Sequence, residues 1–205
     1  MKTIMTSSQK GGSGKTTMAL NLAVAAAKDG NRVIAFDLDP QQSLRAWWQA
    51  RDTDDIQMLD QDPPVADIRQ FLKHAEGQGF DIAIVDTPPA AGDWLRAAMA
   101  EADLVAVPVK PTPADLRAIG RTIDIINASQ PPFAFFLSQT KPGTKVVNET
   151  ARVLAKHGRV ADTEMTYRVS HATGEMNGTG AIEGDDKKAA AEFAAIWTYV
   201  KEITS

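Results

Sequence analysis

Lys10-Gly11-Gly12-Ser13-Gly14-Lys15-Thr16-Thr17 places three glycines, two lysines and two adjacent threonines within eight residues. Glycines at this spacing let the backbone wrap around an anion with its N–H groups turned inward. A helix that starts directly afterwards presents its N-terminus to the same anion. Lys15 then adds a point charge beside the β- and γ-phosphates of a nucleotide, and the Thr16 hydroxyl would ligate Mg²⁺. The usual phosphate loop reads G-x-x-x-x-G-K-[ST] and carries one lysine. Here Gln9 stands at the first glycine position and Lys10 is an additional cation at the loop entrance.

Two acidic segments complete the chemistry. Phe36-Asp37-Leu38-Asp39-Pro40-Gln41 ends an apolar run with two carboxylates one residue apart. At the C-terminal end of a parallel strand, where such sheets bind ligands, one carboxylate would face a metal shell and the other an attacking water. Asp81-Ile82-Ala83-Ile84-Val85-Asp86-Thr87-Pro88-Pro89 ends a second apolar run in Asp86, placed to hold the metal through water. Asp81, at the start of that strand, reads as structural. Loop and acidic segments come in the order that binding of a nucleoside triphosphate with Mg²⁺ requires.

Positioning these residues calls for a sheet whose strands end together. Thr3–Met5, Arg32–Phe36, Asp81–Val85, Asp103–Val107 and Phe133–Leu137 are short, continuous apolar runs rich in Val, Ile and Phe. Continuity rather than alternation predicts strands buried on both faces, as in a parallel sheet. Helical segments lie between them: Thr16–Asp29 with Gly30 as C-cap, Pro64–Glu76, Gly92–Glu101, Ala114–Ser129 and Thr144–His157. A last helix begins near Asp185 or Asp186, with Ala189, Phe193, Ile196, Trp197, Val200 and Ile203 on one face. The alternation predicts an α/β fold, a single doubly wound, mostly parallel sheet flanked by helices, with residues 1–205 as one domain. Gly174, Gly178, Gly180 and Gly184 punctuate a segment expected to be a loop.

Composition narrows the classes. The 205 residues carry a net charge of −4, which argues against a strongly basic nucleic-acid-coating protein but leaves room for a local basic patch. There is no cysteine, so disulfides, thiolate zinc sites and iron–sulfur clusters are excluded. No apolar run reaches the roughly 18–20 residues that span a bilayer. The phosphate loop follows Met1 almost at once, which leaves no place for a signal peptide and predicts a cytoplasmic chain. His74, His157 and His171 lack metal-ligand spacing. Trp47 and Trp48, on a helix after the first acidic segment, suit a partner contact or burial equally.

The run from Gln9 to Thr17 resembles the deviant phosphate loop of the ParA/MinD family. Asp37–Gln41 resembles that family's first switch, and Asp86–Pro89 its second. Val107-Pro108-Val109-Lys110-Pro111-Thr112-Pro113-Ala114-Asp115-Leu116 is similar to its proline-rich segment. The likeness covers essentially the whole chain and is nearest to the short plasmid-partition ParA proteins. It implies an ATP- and Mg²⁺-dependent hydrolase that forms a homodimer in the ATP state. Lys10 would reach across the two-fold interface to the partner's phosphates, Lys15 and residues Gly11–Thr17 would hold their own, and Asp39 would orient water. Thr16, Asp39 and Asp86 would form the metal shell, and Pro108–Asp115 would lie near the dimer interface. Gln139, Thr140 and Tyr167, with Lys141, Thr166 and Arg168 beside them, would surround the adenine.

The same resemblance implies nonspecific DNA binding, nucleoid association and hydrolysis stimulated by a ParB-like or cargo-adaptor partner. A departure bears on the DNA. Arg168 is the only arginine in the late segment Met165–His171, although Lys145, Arg152, Lys156 and Arg159 offer a modest basic patch before it. The C-terminus lacks the basic amphipathic tail of MinD proteins, which implies no membrane partner. Positioning of a protein cargo, a metabolic phosphate-loop ligase, or a module that keeps ATP as a structural ligand are the alternatives.

Overall fold

In the computed structural model, residues 1–59, 64, 67–89 and 93–205 are described, and Asp93 by its backbone alone. β1 (Lys2–Thr6), β2 (Val33–Asp37), β4 (Ile82–Asp86) and β5 (Leu104–Val109) are buried along nearly their whole length. β3 (Ile56–Met58), β6 (Phe133–Thr140), β7 (Arg159–Val160) and β8 (Met165–Thr166) complete one eight-stranded sheet. The strand order is β3-β2-β4-β1-β5-β6-β7, with β8 also paired to β6, and every pairing is parallel. All carboxyl ends therefore converge on one rim.

Helices cover both faces, which is why the strands read as unbroken apolar runs. On one face, α1 (Lys15–Lys28), α2 (Ser43–Gln49) and α8 (Lys187–Thr204) enclose Met18, Leu22, Trp47, Phe136, Phe193 and Trp197. On the other, α3 (Ile68–Gly77), α4 (Asp93–Met99), α5 (Pro113–Ser129) and α6 (Lys145–Leu154) enclose Phe36, Leu72, Leu95, Ile126 and Phe135. α8 buries Ala189, Phe193, Ile196, Trp197 and Val200, the face expected from its spacing, and Asp186 caps it by accepting the Lys188 and Ala189 N–H groups. The expected helix from Pro64 begins at Ile68, and its residues 65 and 66, like Gly92 of the next helix, lie outside the described residues.

One open choice is settled and one expectation is revised. Trp47 is 1% exposed and its indole donates to the Thr179 carbonyl at 3.2 Å, so it is a core residue rather than a partner contact. The glycine-punctuated segment begins with a helix, α7 (Val169–Met176), which contains Gly174. No residue of α7 is fully buried, although His171 and Glu175 are half-buried, so no apolar stripe announced it in the sequence.

Beyond α7, residues 178–184 run across α1 toward the C-terminal end of α2. Gly178 has φ 68° and packs so tightly that a Cβ would lie 2.3 Å from the Ala50 carbonyl carbon. Arg51 ties the segment down. Its guanidinium donates to the Gly178 carbonyl at 2.7 Å, pairs with both Glu183 oxygens at 3.0 Å and with Asp55 at 2.8 Å, and lies over the Trp47 ring.

Candidate nucleotide site

The phosphate loop joins β1 to α1 at the centre of the sheet, where β1 is flanked by β4 and β5. Gly12 and Gly14 adopt φ 69° and 100°, left-handed values that glycine takes at low cost. Two side chains from the end of β6 brace the loop. Ser138 Oγ donates to the Ser13 carbonyl at 2.6 Å, and Gln139 Nε2 donates to the Gly12 carbonyl at 3.0 Å. With these carbonyls occupied, the loop has N–H groups to offer an anion. Gly14 also starts α1, its carbonyl accepting the Met18 N–H at 2.9 Å.

Lys15 is buried, and desolvation pulls its ammonium below the ordinary lysine range, against the opposing pull of Asp86 and Asp39. Asp86 is fully buried at the end of β4. Burial pushes its carboxyl up to about 7, helped by the nearby Asp37 charge and resisted by hydrogen bonds from Thr16 and Thr6. The Thr16 hydroxyl donates to it at 2.6 Å and the Thr6 hydroxyl at 2.8 Å. A hydroxyl and a costly buried carboxylate in contact are a donor set that suits a hard cation. No group of three or more His, Cys, Asp or Glu forms a metal cage among the described residues.

The two carboxylates of the first acidic segment have different surroundings. Asp37 Oδ1 accepts the Asp39 N–H and Oδ2 the Arg45 N–H, both at 3.0 Å. Asp37 therefore folds the turn that leads into α2, and both its oxygens are engaged by backbone. Asp39 is half-buried and lines a cleft of about 310 Å³ together with Gly12, Lys15, Thr16, Gln41 and Glu175.

Lys10 points away from this cleft. Its Nζ lies 2.5 Å from Asp115 Oδ2, and the Thr112 hydroxyl donates to the same oxygen. Thr112 is also the N-cap of α5, accepting the Asp115 N–H at 3.1 Å, so the cap holds the carboxylate that holds the lysine. Only the segment's proline-rich pattern hinted at this in the sequence.

On the expected adenine side, Thr140 pairs with Thr166 between β6 and β8, and the Tyr167 N–H donates to the Thr140 carbonyl at 3.0 Å. Thr140 is buried, Gln139 is turned toward Gly12, and the Tyr167 ring is 69% exposed. Arg168, the lone late arginine, is held by Glu192 and lies 3.5 Å from Asp186. Among the basic-patch residues, Lys145 pairs with Glu149. Ser138, Thr112, Asp115 and Glu175 are site residues that no spacing in the sequence singled out as chemistry.

A profile described as the CobQ/CobB/MinD/ParA nucleotide binding domain matches residues 4–178. The chain belongs to this family. Within it, the chain is 29% identical over 193 residues to the maintenance of carboxysome distribution protein A of Halothiobacillus neapolitanus, covering 88% of this chain and 87% of that one. The protein of the same name from Gloeobacter kilaueensis is 39% identical over 118 residues, and the match covers about half of each (56% and 51%). A ParA protein of Rhizobium radiobacter is 29% identical over 126 residues, covering 62% and 56%. Among solved structures, the MinD cell division protein of Aquifex aeolicus superposes with a TM-score of 0.82 at 16% identity over 98% of each chain. A putative plasmid partition protein of Borrelia burgdorferi bound to AMPPNP gives 0.77 at 17% identity, over 98% and 99%. Both structures share the fold of the family described here.

Proposed function

We propose that this chain is a Mg²⁺-dependent ATP hydrolase, acting as one domain over residues 1–205, whose nucleotide state controls dimerisation. The observation that carries the reading is the pair of lysines on one loop in two different environments. Lys15 is buried against Asp86 and Asp39, where a nucleotide's phosphates would compensate it. Lys10 sits at the rim, 37% exposed, on a carboxylate it can leave. Gly11, Gly12, Ser13 and Gly14 supply backbone N–H groups, and Thr16, Thr17 and Lys15 flank the phosphates. Mg²⁺ would be held by Thr16 with Asp39 and Asp86, and would neutralise phosphate charge. Asp39, the less constrained of the two switch carboxylates, orients the attacking water. Gln139, Thr140 and Tyr167 form the adenine side. On dimerisation Lys10 exchanges Asp115 for the partner subunit's phosphates, where charge compensation is worth most.

The cycle serves positioning. Relatives are named for carboxysome distribution, for ParA and for chromosome partitioning, which supports a cytoplasmic ATPase that moves a cargo with a ParB-like or adaptor partner. Two cargo readings stand. DNA partition with nonspecific, nucleoid-associated binding is the first, supported by the relative named a chromosome-partitioning ATPase. A protein cargo is the second, supported by the relative named for carboxysome distribution, and the engagement of Arg168 by Glu192 and Asp186 favours it, because that arginine is not free for phosphate. Size-exclusion chromatography with light scattering tests the switch. Asp39→Ala is expected to form a dimer with ATP and Mg²⁺, and a monomer at every concentration rejects the sandwich. ATPase rates with and without DNA across salt separate the cargoes, since phosphate contacts predict a steep salt slope. Turnover that depends on a metabolite and ignores DNA and protein partners would instead indicate a ligase.

A further inference from the structure

The loop has a third lysine beside it. Lys110 follows the last residue of β5, and a methyl group built on Gly12 would lie 3.9 Å from its Nζ. Lys110 is half-buried and forms no ion pair among the described residues. Pro111 restricts Lys110 to extended backbone. The Lys110 carbonyl accepts the Thr112 N–H at 2.8 Å, which tightens the chain into the α5 cap. The geometry is therefore set by backbone, not by a partner for the ammonium.

Charge makes this placement informative. Each of the other two loop lysines faces an acid of its own chain, Lys10 meeting Asp115 and Lys15 meeting Asp86 and Asp39. Lys110 alone is directed at a backbone turn whose carbonyl is already occupied by Gln139. Among the described residues no carboxylate pairs with the Lys110 ammonium, which lies instead beside the backbone of the phosphate loop. An anion seated on the Gly12 turn would answer both the N–H groups and the ammonium. The six residues from Lys110 to Asp115 thus send one cation toward the loop and one carboxylate to hold Lys10 away from it.

We propose that Lys110 is a phosphate-binding residue of this site, contacting the β- or γ-phosphate of the nucleotide bound to its own subunit while Lys10 is docked on Asp115. The proposal rests on the reading that a nucleoside triphosphate binds this loop. It assigns the two rim lysines to different stages, Lys110 to capture by the monomer and Lys10 to the dimer.

The test is calorimetric titration of ATPγS and AMP into the full chain at protein concentrations where light scattering reports a monomer. Lys110→Gln is expected to weaken ATPγS roughly tenfold, the scale of one hydrogen bond to a charged group. AMP should change by less than twofold, and Lys110→Arg should recover most of the ATPγS affinity. Circular dichroism melting checks that each variant is folded. ATPγS binding by folded Lys110→Gln within twofold of the parent overturns the proposal while the nucleotide reading stands. Equal losses for ATPγS and AMP overturn it too, by pointing to a general disturbance of the loop. If the parent binds no ATPγS, or Lys15→Ala binds it as well as the parent, the nucleotide reading itself fails.

Discussion

Two clusters of charge sit on either side of α2, and they are built to opposite specifications. Around Arg51, each charge is met within the chain. The side chain is 2% exposed, its two terminal nitrogens bond Glu183, Asp55 and the Gly178 carbonyl while Nε has no hydrogen-bond partner among the described residues, and Lys28 adds a second cation to Glu183. Hydrogen bonds and nearby cations hold the Glu183 and Asp55 carboxyls below the usual range against the opposing effect of burial. Around the phosphate loop the balance is left open. Lys15 is pulled down and Asp86 pushed up, both chiefly by burial, and Glu175 is raised by burial. The first cluster is complete in the isolated chain and serves stability. The second has the surplus that a ligand with phosphates and a metal would discharge.

That contrast can be broken in several ways. The largest effect is expected from Lys10→Ala, which leaves the fold and monomer nucleotide binding intact but lowers turnover on the order of 10³-fold, the low end for a cation supplied in trans to phosphoryl transfer. Steady-state phosphate release measures it, and unchanged turnover would mean that Lys10 serves Asp115 and nothing more. Arg51→Ala should do the reverse. Removing one partner of a buried ion pair costs about 3 kcal/mol, visible in urea unfolding, with the loop's intrinsic ATP affinity unaltered after correction for the unfolded fraction.

The two clusters also predict opposite pH responses. Glu183 and Asp55 have lowered folded values, so their contribution is present above the unfolded carboxyl range near 4 and fades as the pH drops through it. Asp86 is raised to about 7, so the native state holds a proton that the unfolded chain lacks, and stability from this group grows as the pH falls from above 7 toward about 4. Asp86→Asn should therefore be more stable than the parent at pH ~8, and the gap should close toward pH ~5. His171, lowered by burial, works in the other direction and is common to both proteins. Thermal melting of nucleotide-free parent and variant isolates the Asp86 part, and a pH-independent gap would contradict it. The smallest effect is assigned to Glu175→Gln. Removing a carboxylate from the wall of the phosphate cleft should tighten ATP about threefold at low salt, with the gain shrinking as salt screens it.

The difference between the clusters also explains what was legible in the sequence. That Lys15, Thr16, Asp39 and Asp86 lie close together was readable because a phosphate loop and two strand-terminal acids sit at fixed offsets from apolar runs. The continuous runs themselves announced the five long strands. β3, β7 and β8 were not anticipated, being two or three residues long and set by their neighbours. Arg51 and Glu183 are 132 residues apart, and their pairing depends on Gly178 fitting against Ala50, a long-range fact with no local pattern. Asp37 and Asp39 looked equivalent in sequence, and only the turn into α2 separates the one with both oxygens held by backbone from the one that gives one oxygen to the Gln41 N–H and faces the cleft. Lys110 was visible as part of the proline-rich segment, but its approach to Gly12 needs the crossover that sets β5 beside β1.

Gln139 carries a last consequence. Its φ of 49° lies in the left-handed region, where a residue with a Cβ gives up roughly 1–2 kcal/mol. Glycine would sit there more easily, yet it could not reach the Gly12 carbonyl that Gln139 holds at 3.0 Å. The chain thus accepts a less favourable backbone at the end of β6 in return for a loop kept in shape before its ligand arrives. Glycine at position 139 would relieve the backbone but remove this brace, and the resulting protein is expected to capture its nucleotide more slowly.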